Sequence, residues 1–100
     1  MNNSTWEPIK PASAPPDFSP EDFFSGVHWH QRWEVFQGIY TPGINPVMAL
    51  SNYIQLPPDL RGVRVLDIGA WNGCFSFECE RRGASEVVAL SPVPREAARC

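Results

Sequence analysis

Residues 63–90, VRVLDIGAWNGCFSFECERRGASEVVAL, decide the fold of this chain. A near-continuous apolar run, interrupted by Arg64 and by one acid, covers residues 63–68. A turn with two glycines covers residues 69–73, and a second apolar run covers residues 87–90. Apolar runs bounded by glycine are typical of parallel strands that are buried on both faces. The segment between the turn and the second run is compatible with a helix. The stretch therefore predicts a strand, a turn, a helix and a second, parallel strand.

The turn between the first strand and the helix is the predicted functional position. Ligands of open α/β sheets bind at the carboxyl ends of the strands, and a helix that begins there offers free N–H groups to a polar ligand. Gly69 allows a backbone conformation that other residues avoid, and Gly73 lets the helix start close to the strand. Asp67 is an acid within an apolar strand, so it needs a hydrogen-bond partner. That partner is either a ligand or local N–H groups of the loop.

A family resemblance follows from residues 65–73, VLDIGAWNG. This segment resembles the first motif of class I S-adenosylmethionine-dependent methyltransferases, an apolar strand and an acid followed by Gly-x-Gly-x-Gly. The sequence departs from the pattern at the middle glycine, where Trp71 stands. The resemblance implies a Rossmann-like doubly wound parallel sheet in an α/β fold, of which only the N-terminal portion is expected here: a helical lead-in and one β-α-β unit. It also implies a cofactor-binding set of Asp67, Gly69, Ala70, Trp71, Asn72, Gly73 and Ser91.

Two further blocks, HWHQRWEVFQGIYTPG at residues 28–43 and FSFECERRGA at residues 75–84, are similar to a methyltransferase-like subfamily. That subfamily is related to the tRNA wobble-uridine carboxymethyl-transferring enzymes. The similarity implies S-adenosyl-L-methionine, or a carboxylated derivative, as the donor and a small molecule or tRNA as the acceptor. It further implies that residues 28–43 help to form the pocket. Histidine side chains commonly serve as general bases, so His30 is the candidate to take a proton from the acceptor.

A dinucleotide-binding domain is the nearest alternative. Its fingerprint places a second glycine two residues after the first, a third glycine three residues after the second, and an acid at the end of the second strand. The spacing of Gly69 and Gly73 fits the methyltransferase pattern better, and the position after the second strand is Ser91. A single hydroxyl cannot make the two bonds to ribose that a carboxylate makes. A domain that binds a nucleotide ligand or a partner without chemistry therefore stays open as the alternative function.

The composition limits the remaining possibilities. The chain has 100 residues with 43% hydrophobic content, enough for one small domain but not for a complete methyltransferase fold. Eight basic and eleven acidic residues give a net charge of -3, so no global field attracts nucleic acid. Three cysteines without metal-ligand spacing favour reduced thiols, and two histidines alone are poor evidence for a metal site. No apolar run is long enough to span a membrane, so we expect a soluble, cytoplasmic protein.

Three regions are predicted along the chain: a flexible, proline-rich lead-in at residues 1–18, a helical N-terminal extension at 19–60, and the truncated start of the cofactor-binding domain at 61–100. Ser19 and Pro20 predict a helix start. The spacing of Trp29, Trp33 and Phe36 predicts a shared helical face. Residues 41–43 predict a tight turn in which glycine has a positive φ, and residues 45–46 predict a second helix start whose apolar face comprises Val47, Leu50, Tyr53 and Ile54.

Within the core unit, the predicted helix presents Phe75, Phe77 and Cys79 to the sheet, and Gly83 terminates it. Glu78 and Arg82 are spaced for an ion pair across one turn. Residues 95–100 predict the start of another helix. Because the central strand of a doubly wound sheet needs a neighbour on each side, we expect these residues to be the front part of a larger enzyme, or a truncated reading frame, that transfers no methyl group alone.

Overall fold

The computed structural model describes residues 6–90, which form a mixed α/β arrangement. In chain order the elements are α1 (Pro20–Phe24), β1 (Gln31–Arg32), β2 (Glu34–Phe36), β3 (Ile39–Tyr40), β4 (Asn45–Pro46), α2 (Val47–Tyr53), β5 (Arg64–Ile68), α3 (Cys74–Arg81) and β6 (Glu86–Leu90). The strands form three two-stranded sheets, in which β1 pairs with β4 in parallel, β2 with β3 in antiparallel and β5 with β6 in parallel orientation. None of the helices in residues 6–90 could span a lipid bilayer.

The predicted β-α-β unit is confirmed as β5, α3 and β6. The two strands pair in parallel over their full length, from Arg64 opposite Glu86 to Ile68 opposite Leu90. Helix α3 contacts both strands. The helix ends where predicted, because Gly83 takes a φ of +90°, a conformation that side-chain-bearing residues rarely adopt. Local apolar patterning and glycine placement were sufficient to predict this unit.

The β5–β6 sheet is covered on one face only by the residues that the structure describes. Alternate residues of a strand point to opposite faces, and α3 lies against the face that carries Val65, Asp67 and Val87, which are half-buried. The opposite face carries Leu66, Ile68, Val88 and Leu90, whose exposed fractions are 58%, 76%, 45% and 52%. The strands are therefore not buried on both faces within residues 6–90.

The helix predicted around residues 29–36 is wrong. Residues 31–32 and 34–36 are strands β1 and β2, and β2 turns through Gln37 and Gly38 into β3. Gly38 has a φ of +75°, which suits this tight reversal. The spacing of Trp29, Trp33 and Phe36 matches a helical period by coincidence. Aromatic residues favour strands as well. Here β1 finds its backbone partner in residues 45–46, and β2 finds its partner in residues 39–40. The extension is therefore mixed rather than helical.

The two other predicted helices of the extension exist, with one corrected start. Ser19 caps α1 by accepting the Asp22 N–H at 3.3 Å, and Pro20 is its first residue. Helix α2 begins at Val47 rather than after an Asn45 cap, because residues 45–46 pair with β1 as strand β4. Of its predicted apolar face only Val47 is buried; the other three residues, Leu50, Tyr53 and Ile54, are exposed.

Gly43 permits close packing. The positive φ that was predicted for it in a turn at residues 41–43 is not found. A Cβ built at this position would overlap the backbone atoms of Gln31 and His30. Asn45 N–H donates to the His30 carbonyl at 3.0 Å just beyond it. The glycine therefore permits the segment before β4 to lie directly against β1.

A buried polar network joins α3 to the extension. Glu78 accepts the Trp33 indole N–H at 3.0 Å on one carboxylate oxygen and pairs with Arg82 at 2.7 Å on the other. Arg82 also donates to the carbonyls of Leu56 and Pro57 at 2.7 and 3.1 Å. The predicted Glu78–Arg82 pair is thus confirmed, but it is buried and bridges three segments instead of lying on an exposed helix face.

Phe77 is the one residue of the predicted sheet-facing set that the structure places elsewhere. Its ring stacks on Trp33, with centroids 5.8 Å apart and planes at 25°. Cys79 is buried and Phe75 is half-buried. Phe77 therefore packs against the extension.

The described part of the lead-in lies along the domain. Ile9 donates its N–H to the Arg81 carbonyl at 2.9 Å, and Gln37 donates to the Ala12 carbonyl at 2.8 Å. The Arg61 guanidinium lies 4.7 Å from the centre of the Trp6 ring. Trp6, Ile9 and Ala12 thus have defined partners, while the flexibility predicted for residues 1–18 stays a prediction.

Candidate functional site

The turn of residues 69–73 closes against the end of β6. Gly69 and Ala70 both donate their N–H groups to the Leu90 carbonyl, at 2.7 and 2.8 Å, and Gly73 donates to the Ala70 carbonyl at 2.9 Å. Gly69 and Gly73 have φ values of +75° and +85°. Gly69 therefore adopts the left-handed conformation predicted for it, and Gly73, which was predicted only to let the helix start close to the strand, adopts it as well. The hydrogen bonds fix the turn at the carboxyl ends of both parallel strands.

Trp71 occupies the position of the pattern's middle glycine with a glycine-like backbone. Its φ is +54°, which costs a residue with a side chain about 1–2 kcal/mol. The indole is 38% exposed and lies over His30, with ring centroids 4.2 Å apart. Apart from Gly69 itself and the adjoining residues 68 and 70, no heavy atom of the described part of the chain comes within 4 Å of a Cβ built on Gly69. The indole is therefore directed toward His30 and does not fill the space beside Gly69.

Asn72 ties this turn to the segment that precedes β1. Its side chain is 4% exposed. The Oδ1 atom accepts the His30 N–H at 2.9 Å, and the Nδ2 atom donates to the His28 carbonyl at 3.1 Å. Asn72 was predicted as a cofactor-binding residue, but these bonds use its side chain to position residues 28–30 beside the turn.

Gln31 makes a second link between the same two segments. Its buried Oε1 atom accepts the N–H of Cys74, the first residue of α3, at 3.0 Å. This bond satisfies one of the N–H groups that a helix start leaves without a backbone partner. Sequence reasoning missed this role of Gln31, because the two residues are 43 positions apart and no local pattern connects them.

Three aromatic rings lie together at this side of the turn, and we call His28, His30 and Trp71 the ring cluster. The His28 and His30 rings meet edge to face, with centroids 4.4 Å apart. The structure thus brings His30 next to the candidate site, as the resemblance of residues 28–43 implied. Its service as a proton acceptor stays a prediction.

The Asp67 side chain lies on the face of the β5–β6 sheet that packs against α3. Its Oδ2 atom accepts the Ser76 hydroxyl at 2.8 Å, so the local partner is a helix side chain rather than loop N–H groups. Burial raises the pKa of the neighbouring Cys79 thiol, and the negative charge of Asp67 raises it further. Asp67 and Gly69 line a cavity of about 380 Å³, together with Gln31 and Phe75. One oxygen of the Asp67 carboxylate is therefore hydrogen-bonded within the fold, and the residue lies at the wall of this cavity.

Two other members of the predicted cofactor set are Ala70 and Ser91. Ala70 is 1% exposed; its N–H donates to the Leu90 carbonyl at the end of β6, and its carbonyl accepts the Gly73 N–H within the turn. Ser91 lies outside the described residues. Of the predicted set, the structure places Asp67 and Gly69 at the cavity, Gly73 at the start of α3, and Trp71 and Asn72 at the ring cluster.

Comparison with protein-family models, curated proteins and solved structures finds no match for this chain. The site is therefore interpreted from its own geometry.

Proposed function

We propose that Asp67 and the turn of residues 69–73 form part of a binding site for S-adenosyl-L-methionine, or for a carboxylated derivative, in a class I transferase. In this proposal the parent protein moves a methyl or carboxymethyl group to an acceptor that is a small molecule or tRNA. The observation that carries the proposal is the open space beside Gly69, next to a carboxylate at the cavity wall.

The residues present fit such a donor. A cavity of about 380 Å³ falls within the usual range of ligand sites, about 300–1,000 Å³. Among residues 6–90, Ser76 is the one hydrogen-bond partner of the Asp67 carboxylate, and it uses only Oδ2. The Oδ1 atom can accept a hydrogen bond from a ligand N–H or O–H group. A carboxylate also favours a cationic ligand, and the donor carries a sulfonium.

The backbone of the turn contributes shape more than hydrogen bonds. The N–H groups of Gly69 and Ala70 are held by the Leu90 carbonyl, and the first N–H of α3 is held by Gln31. These groups cannot also bind a ligand strongly. We therefore expect the donor to pack against Gly69 and to be oriented by Asp67.

The chemistry needed from the protein is mainly orientation. The donor, when bound, supplies an already activated carbon, so holding the acceptor in line with it lowers the barrier. His30 lies beside the turn through the contact of its ring with Trp71. In this proposal His30 is the candidate to take a proton from the acceptor.

We further propose that β5, α3 and β6 form the first unit of a Rossmann-like doubly wound sheet. The parallel register of the two strands supports this, since a crossover helix joins parallel strands. The exposed apolar face that includes Leu66 and Ile68 supports it as well, because parallel sheets normally carry helices on both faces.

Calorimetric titration of the full chain with S-adenosylhomocysteine tests the proposed function. We expect saturable binding that weakens by roughly tenfold or more in Asp67→Asn, since hydrogen bonds to charged groups contribute about 1.5–3 kcal/mol. Asp59→Asn is the matched control, because Asp59 pairs with Arg61 at an exposed position. Equal affinity in wild type and Asp67→Asn would refute the role of Asp67. Absence of saturable binding would favour the alternative, a domain that binds another ligand or a partner without chemistry.

A further inference from the structure

A second cavity, of about 280 Å³, lies between α1, residues 29–41 of the extension and the start of α3. We call it the aromatic cavity, because its walls include the rings of Phe23, Trp29, Trp33 and Phe77. Asn72 and Cys74 line it where α3 begins. Asp67 and Gly69, which line the cavity described above, are not among its lining residues.

The ring walls are held in place by contacts outside the aromatic cavity. Trp29 donates its indole N–H to the Phe24 carbonyl at 3.1 Å and meets the Phe24 ring at 85°. Trp33 donates its indole N–H to Glu78, and the Arg81 guanidinium lies 3.8 Å from the centre of its ring. A ligand would therefore meet ring surfaces whose positions are already fixed, which lowers the entropic cost of binding.

The polar groups at the aromatic cavity are used within the protein. The Thr41 hydroxyl donates to the Gln31 carbonyl at 2.6 Å and accepts the Trp33 backbone N–H at 2.9 Å. The Asn72 side chain bonds to the backbone of His28 and His30. No charged side chain is among the lining residues that the structure describes. A charged ligand would lose its hydration there without gaining a partner.

We propose that the aromatic cavity binds an uncharged small molecule built on one or two fused aromatic rings. Protein interiors are close-packed, and a dry apolar cavity of about 150 Å³ already accepts benzene in a well-studied case. The aromatic cavity is larger, so a two-ring molecule matches its size. Stacked and edge-to-face ring contacts favour aromatic over aliphatic ligands. This site does not depend on the proposed function, and each can fail without the other.

Indole is the probe, and the indole N–H signals of the protein's own tryptophans are the readout. We expect saturable shifts for Trp29 and Trp33 in proton–nitrogen NMR spectra of the full chain, with a Kd of about 1 mM or tighter. Trp6, which contacts Arg61 instead, serves as an internal reference and should not shift. Indole-3-carboxylate should bind at least about tenfold more weakly, because its charge is not compensated.

Val35→Phe places a ring in the aromatic cavity and should abolish the shifts, since Val35 lines it. Val63→Phe is the matched control, because Val63 is exposed and lies outside the cavity lining. If Val35→Phe does not fold, Phe77→Trp fills the same space. The proposal is overturned if wild type shows no saturable shift, if a folded filled variant binds indole as wild type does, or if indole-3-carboxylate binds equally well.

Discussion

His30 donates its backbone N–H to the Asn72 side chain over 2.9 Å, joining two residues that are 42 positions apart. The Asn72 side chain also donates a hydrogen bond to the His28 carbonyl. One buried side chain therefore sets where His28 and His30 lie relative to the turn of residues 69–73.

Asn72→Ala should lower the free energy of unfolding by about 1–3 kcal/mol, because it leaves a partly buried N–H and a carbonyl without partners. Chemical denaturation measures this loss. Asn52→Ala, at an exposed position of α2, is the control and should change stability by less than about 0.5 kcal/mol. Equal stability of the two variants would mean that the Asn72 bonds do not hold the segments together.

Glu78→Gln should destabilise the protein by about 3 kcal/mol, since it leaves the Arg82 charge buried without its carboxylate. Thermal unfolding followed by circular dichroism provides the measurement. Glu80→Gln changes the same residue type on the exposed side of α3 and should leave the midpoint almost unchanged. A Glu78→Gln protein as stable as the Glu80→Gln protein would show that the buried pair contributes little.

Gly43→Ala should destabilise the fold by about 2–3 kcal/mol, because the added methyl group overlaps the Gln31 backbone, which cannot move aside as a flexible side chain can. Urea denaturation compares it with Ile44→Ala, a change at the exposed neighbouring residue. The account of Gly43 fails if both variants unfold at the same urea concentration.

Stability should fall as pH rises above the ordinary thiol pKa of about 8.5, in part through Cys79. Burial raises the pKa of this thiol in the folded protein. The native state therefore retains a proton that the unfolded chain releases, which favours unfolding as pH rises. Cys79→Ala should show a shallower decline of unfolding free energy between about pH 8 and pH 10. Parallel wild-type and Cys79→Ala curves would argue against this contribution.

The parts of this structure that could be predicted from the sequence are those in which the interacting residues lie close together along the chain. The β5-α3-β6 unit was predictable because its signals are local: apolar runs, Gly69 and Gly83. The extension was not, since strands of two or three residues carry too little pattern to distinguish them from helix. The spacing of Trp29 and Trp33 suggested a helix that pairing with later segments overrides.

The candidate site also has features that the sequence predicts and features that it does not. The conformation of Gly69 follows from the turn pattern, and the structure has it at positive φ; the positive φ of Gly73 was not predicted. The bonds of Gln31 to Cys74 and of Asn72 to His30 link segments more than 40 residues apart. No local rule predicts such links, because they arise only when the tertiary fold brings the segments together.

The most direct test of the proposed donor site is a proton–nitrogen NMR titration of the full chain with S-adenosylhomocysteine, with a nicotinamide dinucleotide titrated in parallel. We predict saturable shifts of the amides of Asp67, Gly69 and Trp71, few or none at Trp33, and no saturable response to the dinucleotide. Shifts that never saturate, shifts confined to the aromatic cavity, or stronger binding of the dinucleotide would contradict the assignment of an S-adenosylmethionine site to this turn.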